Sequence, residues 1–274
     1  MKNKLLSLFI ILISLGSSSY GANSFSHQLF DSLLQRYVEQ GWVNYQGIKQ
    51  NPQWLDRYLE TIENLAPEVY ENWTDNQKMA FWINAYNAIT IKGILLHYPI
   101  QYGNLIARAR FPQNSIRQIS NFWDRIFVKP MGKEISLNTI EHQILRKEFR
   151  DPRIHFALVC ASVGCPALKS RVYFAESLEE QLNTATREFI QDSTKNRLSK
   201  SENILYLSRI FDWYKEDFPA GSTPHSALTH YKEELRGILE FVMNYLPESE
   251  REYLLKNAPE IKFLEYDWSL NEKR

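Results

Sequence analysis

Both cysteines of this 274-residue chain fall in one short run, from Asp151 to Leu168, together with one of its six histidines. Cys160 and Cys165 are separated by Ala-Ser-Val-Gly. A pair at this spacing suits a disulfide, with Gly164 permitting the tight loop. Closing so short a loop contributes about 2 kcal/mol in the chain-entropy picture. The same pair suits a second chemistry, in which Cys160 is a thiolate nucleophile activated by a histidine. A third outcome is a pair of inert thiols. Residues 154–160 are mostly apolar and bounded by turn signals, which predicts a buried strand. On a strand, His155 and Cys160 point to opposite faces, so His142 on the preceding helix is the better base. Zinc held by His142, His155, Cys160 and Cys165 is disfavoured because the cysteine spacing is loose and no second ligand pair is evident. No metal and no cofactor are expected.

Glu141 carries the remaining chemistry. With Asn138 as N-cap, Glu141 stands at the position that closes a capping box. At about 100° per residue, it also lies inside the apolar stripe of Ile140, Ile144 and Leu145. A buried carboxylate needs a partner, and Arg146, Arg153 and His142 are the candidates. The result is either a structural ion pair, the favoured reading, or a general acid of raised pKa. In the enzymatic reading Cys160 is the nucleophile, His142 the base and Glu141 the orienter. Asn84, Asn87, His155 and Asp267 are candidate binding residues; the two amides alternatively pin neighbouring loop backbone.

These residues need elements to position them. Thr74-Asp-Asn-Gln77 is a capping box that opens a helix continuing to about His97. Apolar residues occur on every side of it between Met79 and Leu96, so this helix should be central and buried nearly all round. Helices are also expected over 25–40, from Asn51-Pro52, over 137–149, from the Ser177-Leu-Glu-Glu180 box to about Asp192, from Ser208 to Phe218, from Pro224 to Leu246, and after Pro247. Short strands are expected at 204–207 and 261–266, a small hairpin at 127–135, and a long irregular crossing over 100–130. The fold class is α+β: a mostly helical single domain with a buried central helix packed on a small β-sheet. No linker-like stretch divides the chain.

The start, Met1-Lys-Asn-Lys4, precedes an apolar run and a small-residue exit, a pattern that predicts a signal peptide over 1–22 and a single domain over 23–274. The apolar run is too short for a comfortable membrane span, so no stable anchor is expected after cleavage, and the protein is expected to be exported. Without Lys2 and Lys4 the net charge falls from zero to −2, and no charge run favours nucleic acid. A peptide, protein or envelope component is the expected kind of partner. Seven Trp, fifteen Tyr and fifteen Phe supply ample apolar area for a packed core.

Several blocks together resemble one family. They are Trp42-Val-Asn-Tyr45, Phe81-Trp-Ile-Asn-Ala-Tyr-Asn-Ala88, Ser136-Leu-Asn-Thr-Ile-Glu-His142, the run 151–168, Ser208-Arg-Ile-Phe-Asp-Trp-Tyr-Lys-Glu-Asp-Phe218 and Tyr266-Asp-Trp-Ser-Leu-Asn271. The chain is similar, from about residue 40 to 271, to the family catalogued as domain of unknown function 547. The resemblance implies no settled activity, but it places Asn84, Asn87, Glu141, His142, His155, Cys160 and Asp267 inside the family's motifs. The central helix has no cysteine at its start, where papain-like thiol enzymes carry theirs. Two functions therefore stay open: a thiol-dependent hydrolase or transferase, and a non-catalytic binding or scaffold domain with a structural disulfide.

Overall fold

Thr74 begins the helix around which the protein is built. Its hydroxyl accepts the Gln77 N–H at 3.3 Å, and the Gln77 side chain accepts the Thr74 N–H at 2.9 Å, satisfying two of the donors that a helix start leaves open. The helix runs Asp75–Leu95, about 30 Å, and nearly every residue from Met79 onward is buried. In the computed structural model, residues 25–221 and 226–273 are described, so the expected signal peptide at 1–22 and Pro224 lie outside them. Helices Gln53–Glu63 and Tyr45–Gln50 and the 137–149 segment surround the central helix. Among the described residues no helix is long and apolar enough to cross a membrane.

The fold is a mostly helical α+β arrangement, as expected, with two small sheets. A two-stranded ribbon, Val38–Glu39 with Trp42–Val43, turns through Gln40 and Gly41, both at positive φ. This is the two-residue turn whose twist matches a hairpin, and glycine is the residue that adopts it at least cost. The ribbon buries Val38 and Val43 in the same core as the central helix. The other sheet has three strands. Ile204–Leu207 pairs antiparallel with Arg197–Ser199 and parallel with Glu260–Phe263. It packs with helices Leu178–Gln191 and Glu233–Met243 around Phe156, Phe211, Leu207 and Leu239, in a second core cluster. The larger sheet thus covers this second cluster, and the central helix is enclosed mainly by other helices.

Local expectations are corrected at several points; the helix expected from Ser208 to Phe218, for one, is a short α-helix, Arg209–Trp213, followed by a 3-10 turn, Lys215–Asp217. The expected strand at 154–160 is instead a 3-10 turn, Pro152–Phe156, followed by irregular chain. Asp151 Oδ1 accepts the Arg153 N–H at 2.9 Å, and Pro152 supplies the fixed φ that a helical first position needs. The expected hairpin at 127–135 is a single 3-10 turn, Pro130–Gly132. Ser177 forms no cap; its hydroxyl meets the Gln181 side chain at 3.1 Å. The expected irregular stretch over 100–130 contains a short α-helix, Leu105–Arg110, capped by Asn104, and two 3-10 turns, Ile116–Gln118 and Phe122–Asp124.

Candidate functional site

The 137–149 segment starts at Ser136, not Asn138, with the Ser136 hydroxyl accepting the Thr139 N–H. One turn of α-helix, Leu137–Thr139, continues as a π-helical stretch, Ile140–Phe149, a winding that recurs at functional positions. Glu141 is buried at 6 % exposure, as its place in the apolar stripe implies. Its partners are not the expected cations. Tyr86 of the central helix donates to Oε2 at 3.0 Å, and Tyr214 donates to Oε1 at 2.5 Å. Burial, reinforced by the carboxylate, pushes both phenols well above the usual tyrosine range, so they remain donors. The basic residues are engaged elsewhere. Arg153 binds Asp151 at 2.5 Å and Glu179 at 2.9 Å. Arg146 forms a fork on Asp217, Nε to Oδ2 at 2.5 Å and Nη2 to Oδ1 at 2.9 Å. A further Arg146 nitrogen, Nη1, lies 2.9 Å from His142 Nδ1.

His155 is 4 % exposed and shares Asp217 with Arg146: its Nε2 lies 2.6 Å from Oδ2. Its ring stacks on Tyr214 at 4.0 Å between centroids. Burial raises the Asp217 pKa, but the hydrogen bonds from His155 and Arg146 outweigh it and hold the carboxyl at about 2. Tyr214 is therefore the hinge of the site. Its hydroxyl is on Glu141 and its face is on His155, while the Arg146 guanidinium lies 5.1 Å from its centroid.

Cys160 and Cys165 lie at disulfide distance, with Cα atoms 6.2 Å apart. The loop between them turns at Ala161, in the left-handed region at φ 57°, and is tied to the C-terminal segment by Val163 N–H to Ser269 O and Gly164 N–H to Asp267 O, both 2.8 Å. Gly164 matters here because a Cβ would stand 3.0 Å from the Tyr266 ring, so glycine lets that ring close over the loop. The Tyr266 hydroxyl donates to Cys165 Sγ at 3.0 Å and lies 3.2 Å from Cys160 Sγ. Burial pushes this phenol up as well, Glu141 adding to the effect. Trp268 and Trp213 pack on Tyr266 at 4.6 and 4.8 Å.

Glu141, His142, His155, Cys160, Cys165, Tyr266 and Trp268 all line one cavity of about 490 Å³. It falls where the central helix, the 137–149 segment and the cysteine-bearing chain meet, and the 209–214 and C-terminal segments complete it. The expected triad is not assembled there. Glu141 is bonded to tyrosines and His142 to Arg146, and the polar partners of the Cys160 sulfur are Cys165 and Tyr266. His155 is not on a strand, so strand parity does not turn it away from Cys160, but its imidazole is committed to Asp217.

The remaining candidates have other tasks. Asn84 spans Tyr173, accepting its N–H at 2.9 Å and donating to its carbonyl at 2.8 Å. Asn87 does the same across the irregular chain, donating to Ala157 O at 3.0 Å and accepting from Val159 N–H at 2.9 Å. Both amides thus pin backbone, and neither lines the cavity. Asp267 caps the Ser269 N–H at 2.9 Å and lines a different depression, of about 650 Å³. Among the described residues no three His, Cys, Asp or Glu side chains converge as a metal site. Sequence reasoning missed Tyr86, Tyr214, Asp217 and also Arg117, whose side chain is on the cavity wall. A signal exists for the first three, which stand within the Phe81–Ala88 and Ser208–Phe218 blocks.

The fold and the cavity define a helical α+β domain with a polar, aromatic-walled pocket. The segment that carries most of that pocket fits a known family: residues 70–190 match the model described as protein of unknown function, DUF547. This is the family that the sequence blocks resemble. No curated protein and no solved structure matches the chain.

Proposed function

We propose that the chain is an exported binding domain whose cavity takes a small ligand with an aromatic or apolar body and an anionic group. The observation that carries this reading is the Arg117 side chain. Its guanidinium lies over the rings of Phe111, Trp268 and Trp123, at 4.8, 5.1 and 5.8 Å, on the cavity wall. Among the described residues it has no carboxylate partner. Ring faces hold a cation in place without neutralising it, which leaves its planar donors for a ligand carboxylate. The cavity volume is in the range of small-molecule sites. Support for a thiol hydrolase is weaker, because no histidine bonds to the Cys160 sulfur. The basic, apolar and small-residue start supports export, and a paired Cys160 and Cys165 suit an oxidising compartment.

Calorimetric titration with indole-3-acetate and its neutral amide tests the reading. The acid is expected to bind more tightly, and Arg117→Gln to cut that preference about tenfold while leaving the amide unaffected. Equal binding of acid and amide by the parent would overturn it. A parent protein whose cysteines were alkylated by iodoacetamide without prior reduction would return the thiol-enzyme reading to the front.

A further inference from the structure

The two sulfurs of the cysteine pair are not equivalent. Both residues line the cavity, but Cys165 is buried at 3 % exposure while Cys160 is partly exposed. Two hydrogen-bond donors reach the buried sulfur: the Cys160 backbone N–H at 2.9 Å, and the Tyr266 O–H at 3.0 Å, which lies slightly farther, 3.2 Å, from Cys160 Sγ. A neutral disulfide sulfur is a weak acceptor and gains little from two donors, whereas a thiolate gains much. Such a pair of donors is what a departing thiolate needs, and lowering the basicity of the leaving sulfur speeds exchange.

We propose that Cys160–Cys165 is an exchange-active disulfide that accepts electrons from small thiols entering the cavity, with Cys160 as the sulfur attacked and Cys165 as the leaving thiolate. An incoming thiolate forms a bond to Cys160 Sγ, the Cys160–Cys165 bond breaks, and its electron pair leaves on Cys165, where the Cys160 N–H and the Tyr266 O–H receive it. A second small thiol then attacks the sulfur of the first and releases Cys160. Two small thiols are oxidised to one disulfide, the protein cystine is reduced to two thiols, and the two protons lost by the small thiols end on the cysteines. The activity goes beyond ligand binding and does not depend on Arg117.

Glutathione is the probe. The full-length oxidised protein is incubated with it, quenched with N-ethylmaleimide and mapped by peptide mass spectrometry. The expected product carries glutathione on Cys160 and maleimide on Cys165. Glutathione on Cys165, or no adduct until urea is added, would overturn the proposal. Tyr266→Phe, with its fold checked by near-ultraviolet circular dichroism, is expected to slow reduction about five- to tenfold, the worth of one hydrogen bond to the departing charge. An unchanged rate in a natively folded variant counts against it. The position of the adduct in the parent decides the matter if the variant fails to fold.

Discussion

The Tyr214 hydroxyl lies 2.5 Å from Glu141 Oε1 across 73 residues of chain, and this bond joins the 137–149 segment to the C-cap of the Arg209–Trp213 helix. With Tyr86 on the other oxygen, it makes a buried carboxylate tolerable in place of the salt bridge that a charged group usually requires.

Removal of either phenol should therefore be costly. Tyr86→Phe and Tyr214→Phe are each expected to destabilise by about 1–3 kcal/mol in urea unfolding, because each strips a donor from a desolvated charge. Adding Glu141→Met to the double phenylalanine variant should recover part of the loss, since no carboxylate then needs solvation. A further fall on that third change would show that Glu141 has another essential partner.

Asp217 sets the acid limit of the site. Its folded pKa of about 2 lies below the ordinary value of 3.8, so the native state binds its proton less readily than the unfolded chain. The stabilisation is present above pH 3.8 and is lost as pH falls from there through about 2. It amounts to about 2 kcal/mol at most. Asp217→Asn should flatten the fall in unfolding free energy over that window, and should lower stability at neutral pH by freeing Arg146 and His155. An unaltered pH profile would rule out this carboxyl as the source.

Asn87 is expected to act on the cavity from behind. Asn87→Leu leaves the Ala157 carbonyl and the Val159 N–H without partners, at a cost of about 2–4 kcal/mol. The chain entering Cys160 would loosen with it, so amide hydrogen exchange at 157–160 should rise more than in the Asn84→Leu variant, whose clamp is on Tyr173. Equal protection in the two variants would break the link between Asn87 and the cysteine loop.

Much of the central architecture is legible in the sequence. The Thr74–Gln77 box and the unbroken apolar composition of 79–96 define a buried central helix, because capping and periodicity act between near neighbours. The apolar neighbours Ile140 and Leu145 likewise carry Glu141 inward, although the segment is π-wound from Ile140 and not α-helical as its periodicity suggests. Local pattern misleads at 154–160, where an apolar run resembles a strand. There the Asp151-Pro152 start favours a turn, and the Asn87 amide, 70 residues away from Ala157, takes the place of a ladder partner.

Local sequence pattern marks the segments that line the cavity: the helix with Glu141 and His142, and the loop with Cys160 and Cys165. Tertiary structure alone decided their partners. Tyr214 rather than a histidine holds Glu141, Asp217 takes up His155 from 62 residues away, and Tyr266 reaches Cys165 across 101. The reason is physical. A hydrogen bond between groups far apart in the chain depends on angstrom-scale placement by the packed cores, and no local spacing encodes that placement.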